Sequence, residues 1–184
     1  MVHLRSWRGE NGRRAEQPTL SGTSLAGVIR SRASRIARTL KGEAAGADLV
    51  NGMFGKRSRE RLENPTGSRV VVRETVVQDG RADLVQSRVK IDRFTSGSYP
   101  QALFSQQPLW GQTRQPTQVN IVLELRQPYD AAPGSVRERR FHAEVGLLLL
   151  VLKDLWTGDA ALGGESSVGR GRLAGQSATL TLGG

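Results

Sequence analysis

The chain has no cysteine, which excludes both a disulfide framework and a thiolate zinc site. Histidine is nearly absent too. His3 and His142 are the two present, and they lie far apart without metal-ligand spacing. His142, at the head of an apolar stretch, is expected to have a partly buried structural part rather than a catalytic one. Long hydrophobic runs are missing. The longest, Val145 to Leu152, falls far short of the roughly 20 residues that cross a bilayer, and no secretory signal is visible. A cytoplasmic protein without a membrane partner is the expectation. Lysine is scarce as well, being confined to Lys41, Lys56, Lys90 and Lys153.

What is present is arginine. Lys plus Arg total 27 against 17 acidic residues, a formal net charge of +10, and the planar guanidinium is the better fork for phosphates and the better plate for bases. A polyanionic partner is therefore favoured. The 184 residues suffice for one domain, 1–184, with a sizeable core.

The C-terminal part concentrates this chemistry. After an apolar helical run from Phe141 to Trp156 comes a loop, residues 162–172. It holds Gly163, Gly164, Gly169 and Gly171, the hydroxyls of Ser166 and Ser167, and the cations Arg170 and Arg172. Bare backbone amides approach an anion closely while guanidiniums neutralise it. A strand is expected next, over Ser177–Leu182.

Near the other end, Ser21-Gly22-Thr23-Ser24 reads as a helix start whose hydroxyls can cap the first amides. Leu25, Val28, Ile29, Ile36 and Leu40 follow at helical spacing, with Arg30, Arg38 and Lys41 on the other face. Arg32 falls beside the apolar stripe, where it either snorkels to the rim or turns inward to an anion. Residues 42–67 read as a loop or insertion anchored by Phe54. Two strands are predicted, Val70–Val77 and Thr117–Arg126, with a loop over Gln127–Arg140. Between the strands, residues 88–116 interleave Lys90, Arg93 and Thr95 with Phe94, Tyr99, Phe104 and Trp110, offering charge for a backbone and flat faces for bases.

Three segments, in order, carry a family resemblance. Leu20-Ser21-Gly22-Thr23-Ser24-Leu25-Ala26-Gly27-Val28-Ile29-Arg30 is similar to the "I-P-G-S-S-L-K-G-x-x-R" opening of a first helix. Val89-Lys90-Ile91-Asp92-Arg93-Phe94-Thr95-Ser96-Gly97, with Ala102-Leu103-Phe104, resembles an "I-D-R-x-T-G-G … A-L-F" segment that begins a thumb-like hairpin. Leu162 to Arg172 looks like a C-terminal glycine-rich loop. Together they resemble the RAMP superfamily of CRISPR-associated proteins, in particular the repeating backbone subunit of type III effector complexes.

The resemblance implies an α+β fold with a ferredoxin-like, RNA-recognition-motif-like core and insertions. It implies CRISPR RNA, target RNA and other RAMP subunits as partners. Gly22, Thr23 and Ser24 would meet phosphates at a helix N-terminus, Arg30, Arg170 and Arg172 would supply charge, and Arg93 with Phe94 would wedge at a flipped base. Two departures stand out. The acid that catalytic members carry before the first helix is not found, the nearest carboxylates being Glu10 and Glu16, and the first, central strand of the sheet is expected to be truncated or missing. The leading reading is thus an RNA-holding scaffold with no cofactor motif. The alternatives are a metal-dependent endoribonuclease cutting target RNA, which would use Mg²⁺ through Asp92 or Glu10, and a repeat-processing ribonuclease using a histidine.

Overall fold

The computed structural model describes residues 5–10, 13–56, 67–126 and 132–181; His3 and the Asn11-Gly12 turn signal lie outside the described residues. In chain order the elements are β1 (Arg5–Glu10), β2 (Arg13–Leu20), α1 (Gly22–Lys41), α2 (Glu43–Phe54), β3 (Val70–Val72), β4 (Thr75–Gln78), β5 (Gln86–Ile91), β6 (Ser98–Gln106), β7 (Gln118–Val119), β8 (Leu123–Leu125) and α3 (Val136–Trp156), followed by one 3₁₀ turn at Ser166–Val168. This is the expected α+β class, with antiparallel sheets and three helices. No helix among the described residues is long and apolar enough to cross a membrane. The chain divides into two compact units, Met1–Ser21 with Glu74–Val122 and Gly22–Arg73 with Leu123–Gly184.

The first unit is built on strands. An antiparallel sheet runs in the order β1-β2-β4-β7, and β5 pairs with β6 as a separate hairpin. β1 and β2 pair along their whole length, from Arg5 opposite Pro18 to Glu10 opposite Arg13, and Thr19 and Leu20 then pair with Val76 and Thr75 of β4. A strand flanked on both sides therefore leads straight into α1, contrary to the expectation that it is missing. Its sequence, RRAEQPTL, lacks apolar alternation, and the ladders with β1 and β4 are what reveal it as a strand.

The second unit holds the apolar core. Leu25, Ile29, Ala33 and Ala37 of α1 pack with Leu49, Val50, Met53 and Phe54 of α2 and with Leu147, Leu148, Val151 and Leu155 of α3, all of them buried. The helix at Glu43–Phe54 replaces the expected loop within residues 42–67. Its apolar positions are helically spaced, but Gly46 and Gly52 mask the pattern, and Gly46 is what lets α2 touch the α1 backbone: a methyl built there would lie 2.7 Å from Ala37 C. Leu40, assigned to the apolar stripe, is exposed.

α3 begins at Val136, five residues before the expected start. Ser135 Oγ accepts a hydrogen bond from Glu138 N at 3.1 Å, while the Glu138 carboxylate accepts from Gly134 N at 2.6 Å. The S-x-x-E spacing that announces such a cap is legible in the sequence. His142, expected to be partly buried, is exposed on this helix. Each of the two long strands expected from the sequence is found as two short ones in different sheets: β3 pairs with β8, whereas β4 pairs with β7. The strand expected over 177–182 does not form; residues 173–181 have no regular structure, and Leu182 lies outside the described residues.

Ion pairs clamp the three helices. Glu144, 1% exposed, accepts from Arg69 and lies 3.5 Å from Arg140 Nε, and Arg140 also donates to Asp48 Oδ2 at 2.8 Å. Burial, and then the neighbouring Arg140 cation, hold the Arg69 guanidinium below its usual range. Arg32 turns inward and donates to Asp154 Oδ2 at 2.6 Å, which settles its two sequence readings in favour of a carboxylate partner.

Candidate nucleic-acid interface

The residues singled out by the sequence form three sites, two in the helical unit and one in the strand unit. Helix α1 starts at Gly22, as its hydroxyl-rich opening dictates. Gly22, Thr23, Ala26, Gly27 and Arg30 line one wall of a groove of about 530 Å³, with Phe54, Ser68 and Val70–Val72 opposite. Thr23 is exposed there, and Ser24, next to it on the helix, is exposed without lining the groove. A helix N-terminus beside small residues is a natural seat for a phosphate, because its first amides point outward along a favourable dipole.

Arg30 has a second task. Its Nη2 donates to Asn51 Oδ1 at 3.0 Å and to Gly55 O at 2.8 Å, and its guanidinium carbon stands 6.0 Å from the centre of the Phe54 ring. It thereby satisfies a carbonyl just past the end of α2 while standing at the groove. This dual placement was not legible in the sequence, since the pairing spans the gap between two helices.

The glycine-rich loop closes on itself. Leu162 N donates to Gly171 O at 2.8 Å, and Ala161 and Arg172 bridge as an antiparallel pair, so residues 163–170 form a bulged turn around the 3₁₀ segment. Gly171 is required on two counts: its φ is +70°, and an added methyl would overlap the Leu162 carbonyl. A methyl built on Gly163, Gly164 or Gly169 would meet nothing within 4 Å, and Ser166 and Ser167 are exposed beside them, while the Gly169 amide itself donates to Ser166 O at 3.1 Å. Arg170 pairs with Glu165 within the loop, and Arg172 Nη1 donates to Gly158 O at 2.8 Å. Both arginines thus shape the loop as well as charging it.

In the strand unit the β5–β6 hairpin ends in a tightly tied turn. Asp92 Oδ1 accepts from Phe94 N at 2.7 Å and from Thr95 N at 3.3 Å, Asp92 N donates to Gly97 O at 2.8 Å, and Thr95 Oγ1 accepts from Gly97 N at 3.3 Å. The tip presents Phe94 to solvent at 96% exposure, with Arg93 exposed next to it. Behind the tip, Lys90 Nζ sits 4.6 Å from the centre of the Tyr99 ring. Phe104 and Trp110 are exposed as well. A rigid turn that spends its hydrogen bonds on displaying a bare phenyl ring suits stacking on a base.

The carboxylates weighed as metal ligands are placed differently. Asp92 serves the turn, Glu16 lies 3.3 Å from Arg5 Nη1, and Glu10 ends β1. Among the described residues no three carboxylate or imidazole groups gather as a metal-binding set.

Comparisons with known proteins complete the picture. The family model for the RAMP superfamily matches residues 8–174. Among solved structures, the chain is similar to one described as "Type IV-B CRISPR Complex", with a TM-score of 0.61 and 15% sequence identity, covering 100% of this chain and 85% of the other. No curated protein matches.

Proposed function

We propose, because this chain belongs to the RAMP superfamily, that it is an RNA-binding subunit of a CRISPR effector complex, holding guide RNA through its backbone and positioning target RNA. The observation that carries the reading is the hairpin tip, where Asp92 fixes the turn and Phe94 is 96% exposed beside Arg93. A phenyl ring displayed beside a guanidinium on a tied turn fits a base, by stacking and by cation–π attraction. In this reading the α1 opening and the 162–172 loop hold ribose-phosphate backbone, and the tip, on the strand unit, offers its ring to a base.

The finer assignment to a repeating backbone subunit of type III rests on the order of the three sequence motifs. The likeness to a chain of a complex described as type IV-B favours a second assignment. Mass spectrometry of the proteins that co-purify with the chain from its native host separates the two.

RNA binding itself is tested with labelled single-stranded RNA and a matched duplex DNA. The chain binds the RNA more tightly, with a log-log salt slope of about −0.7 per neutralised phosphate. Equal preference for duplex DNA, or salt-independent affinity, overturns the proposal.

A further inference from the structure

Helices α1 and α2 enclose a second cleft, of about 860 Å³, that none of the three sites includes. It lies along the face of α1 that carries Arg30, Ser31, Ser34, Arg35 and Arg38, and Lys56 closes one end. Its charge is one-sided. Among the described residues lining the cleft, those four cations face one carboxylate, Asp48, which Arg140 already holds at 2.8 Å. Arg38 has Glu43 at 3.1 Å on the rim, whereas Arg35 and Lys56 have no acidic partner within salt-bridge distance among the described residues.

We infer that the cleft is a second phosphate track, taking the backbone of single-stranded RNA next to the groove at the start of α1. This rests on the proposed function and extends it. Two features set the ligand class. Among the described residues no aromatic side chain lines the cleft, so these offer hydroxyls and cations to phosphates and riboses but no plate for a base. Arg30 lines both this cleft and the α1 groove, so the two adjoin and one strand can occupy both. A strand of two or three phosphates matches the cations better than a single small anion does.

The test uses the full chain, fluorescein-labelled oligouridine and anisotropy titrations over a range of salt. Two variants alter the cleft: Arg35→Ala with Lys56→Ala removes its two cations without an acidic partner, and Ser34→Glu places a carboxylate inside it. Circular dichroism melts check that each remains folded. The double variant is expected to bind about tenfold more weakly than the parent, with a salt slope shallower by about 1.4, corresponding to two phosphates. Ser34→Glu is expected to weaken binding in the same direction.

If the parent binds RNA and both folded variants bind it equally well, the second track is overturned while RNA binding stands. Should the parent not bind RNA, the proposed function falls and the track with it. Variants that keep RNA affinity but lose binding to polyglutamate would mark the cleft as a seat for an acidic protein, and would also overturn the inference.

Discussion

Single side chains divide here into those that hold the fold and those that are displayed. Glu144 belongs to the first kind: 1% exposed, it answers Arg69 and Arg140 together. Replacing it by Ala takes from the part-buried Arg69 its carboxylate and leaves Arg140 with Asp48 alone, a change that costs about 3 kcal/mol in comparable buried pairs. A scanning calorimeter should record a melting point lowered by roughly 10 °C, given 2–4 °C per kcal/mol at this chain length. Phe94 belongs to the second kind. Phe94→Ala should leave the melting point unchanged, since the ring touches little of its own chain, yet weaken RNA binding by about 1–3 kcal/mol, the worth of one base stacked on an aromatic side chain. Unchanged RNA affinity in anisotropy would remove the tip from the interface. Arg30 straddles the two kinds, so its truncation should lower both stability and affinity.

Among the secondary-structure elements, glycine separates packing from mere tolerance. Gly46 of α2 meets the α1 backbone, with a built methyl 2.7 Å from both Ala37 C and Arg38 N, whereas Gly146 of α3 has nothing within 4 Å. Gly46→Ala should therefore destabilise, because overpacking costs about 1–3 kcal/mol and exceeds the gain of up to about 1 kcal/mol in helix propensity. Gly146→Ala should instead stabilise by that gain. Urea denaturation of the two variants checks the contrast, and a Gly46→Ala protein as stable as its parent would mean that the helices are not in backbone contact. The hairpin follows similar logic, since a two-stranded ribbon is marginal alone in water and its tip depends on the Asp92 turn.

For the whole molecule, the question is whether a basic chain of the RAMP superfamily, proposed to hold RNA, also cuts it. Asp92 Oδ1 accepts two amides of the turn and Glu16 pairs with Arg5, so each has a task other than holding a metal at a scissile phosphate. Incubation of the chain and a guide-paired RNA with Mg²⁺ should leave the RNA intact on a denaturing gel. Cleavage abolished by Glu10→Ala would assign the endoribonuclease role to this chain instead, and cleavage of repeat RNA in EDTA would point to histidine chemistry. The arginine excess acts at this scale through long-range potential, which speeds capture of a polyanion and is screened by salt.

The sequence by itself determined the polyanionic bias, the first helix with its hydroxyl-rich start, the glycine-arginine loop and the family, because each depends on residue type at short spacing. It also carried the cap of α3 in Ser135 and Glu138, a signal that the apolar run downstream overshadowed. Only the tertiary structure decided the rest. β2 is a strand because neighbours on both sides pair with it, α2 is a helix because α1 covers its apolar face, and the strands expected over 70–77 and 117–126 divide because their halves join different sheets. The twofold duty of Arg30, the inward turn of Arg32 to Asp154 and the cleft between α1 and α2 arise the same way. Hydrogen-bond ladders, helix crossings and ion pairs join residues remote in the chain, and no local periodicity encodes which of them will meet.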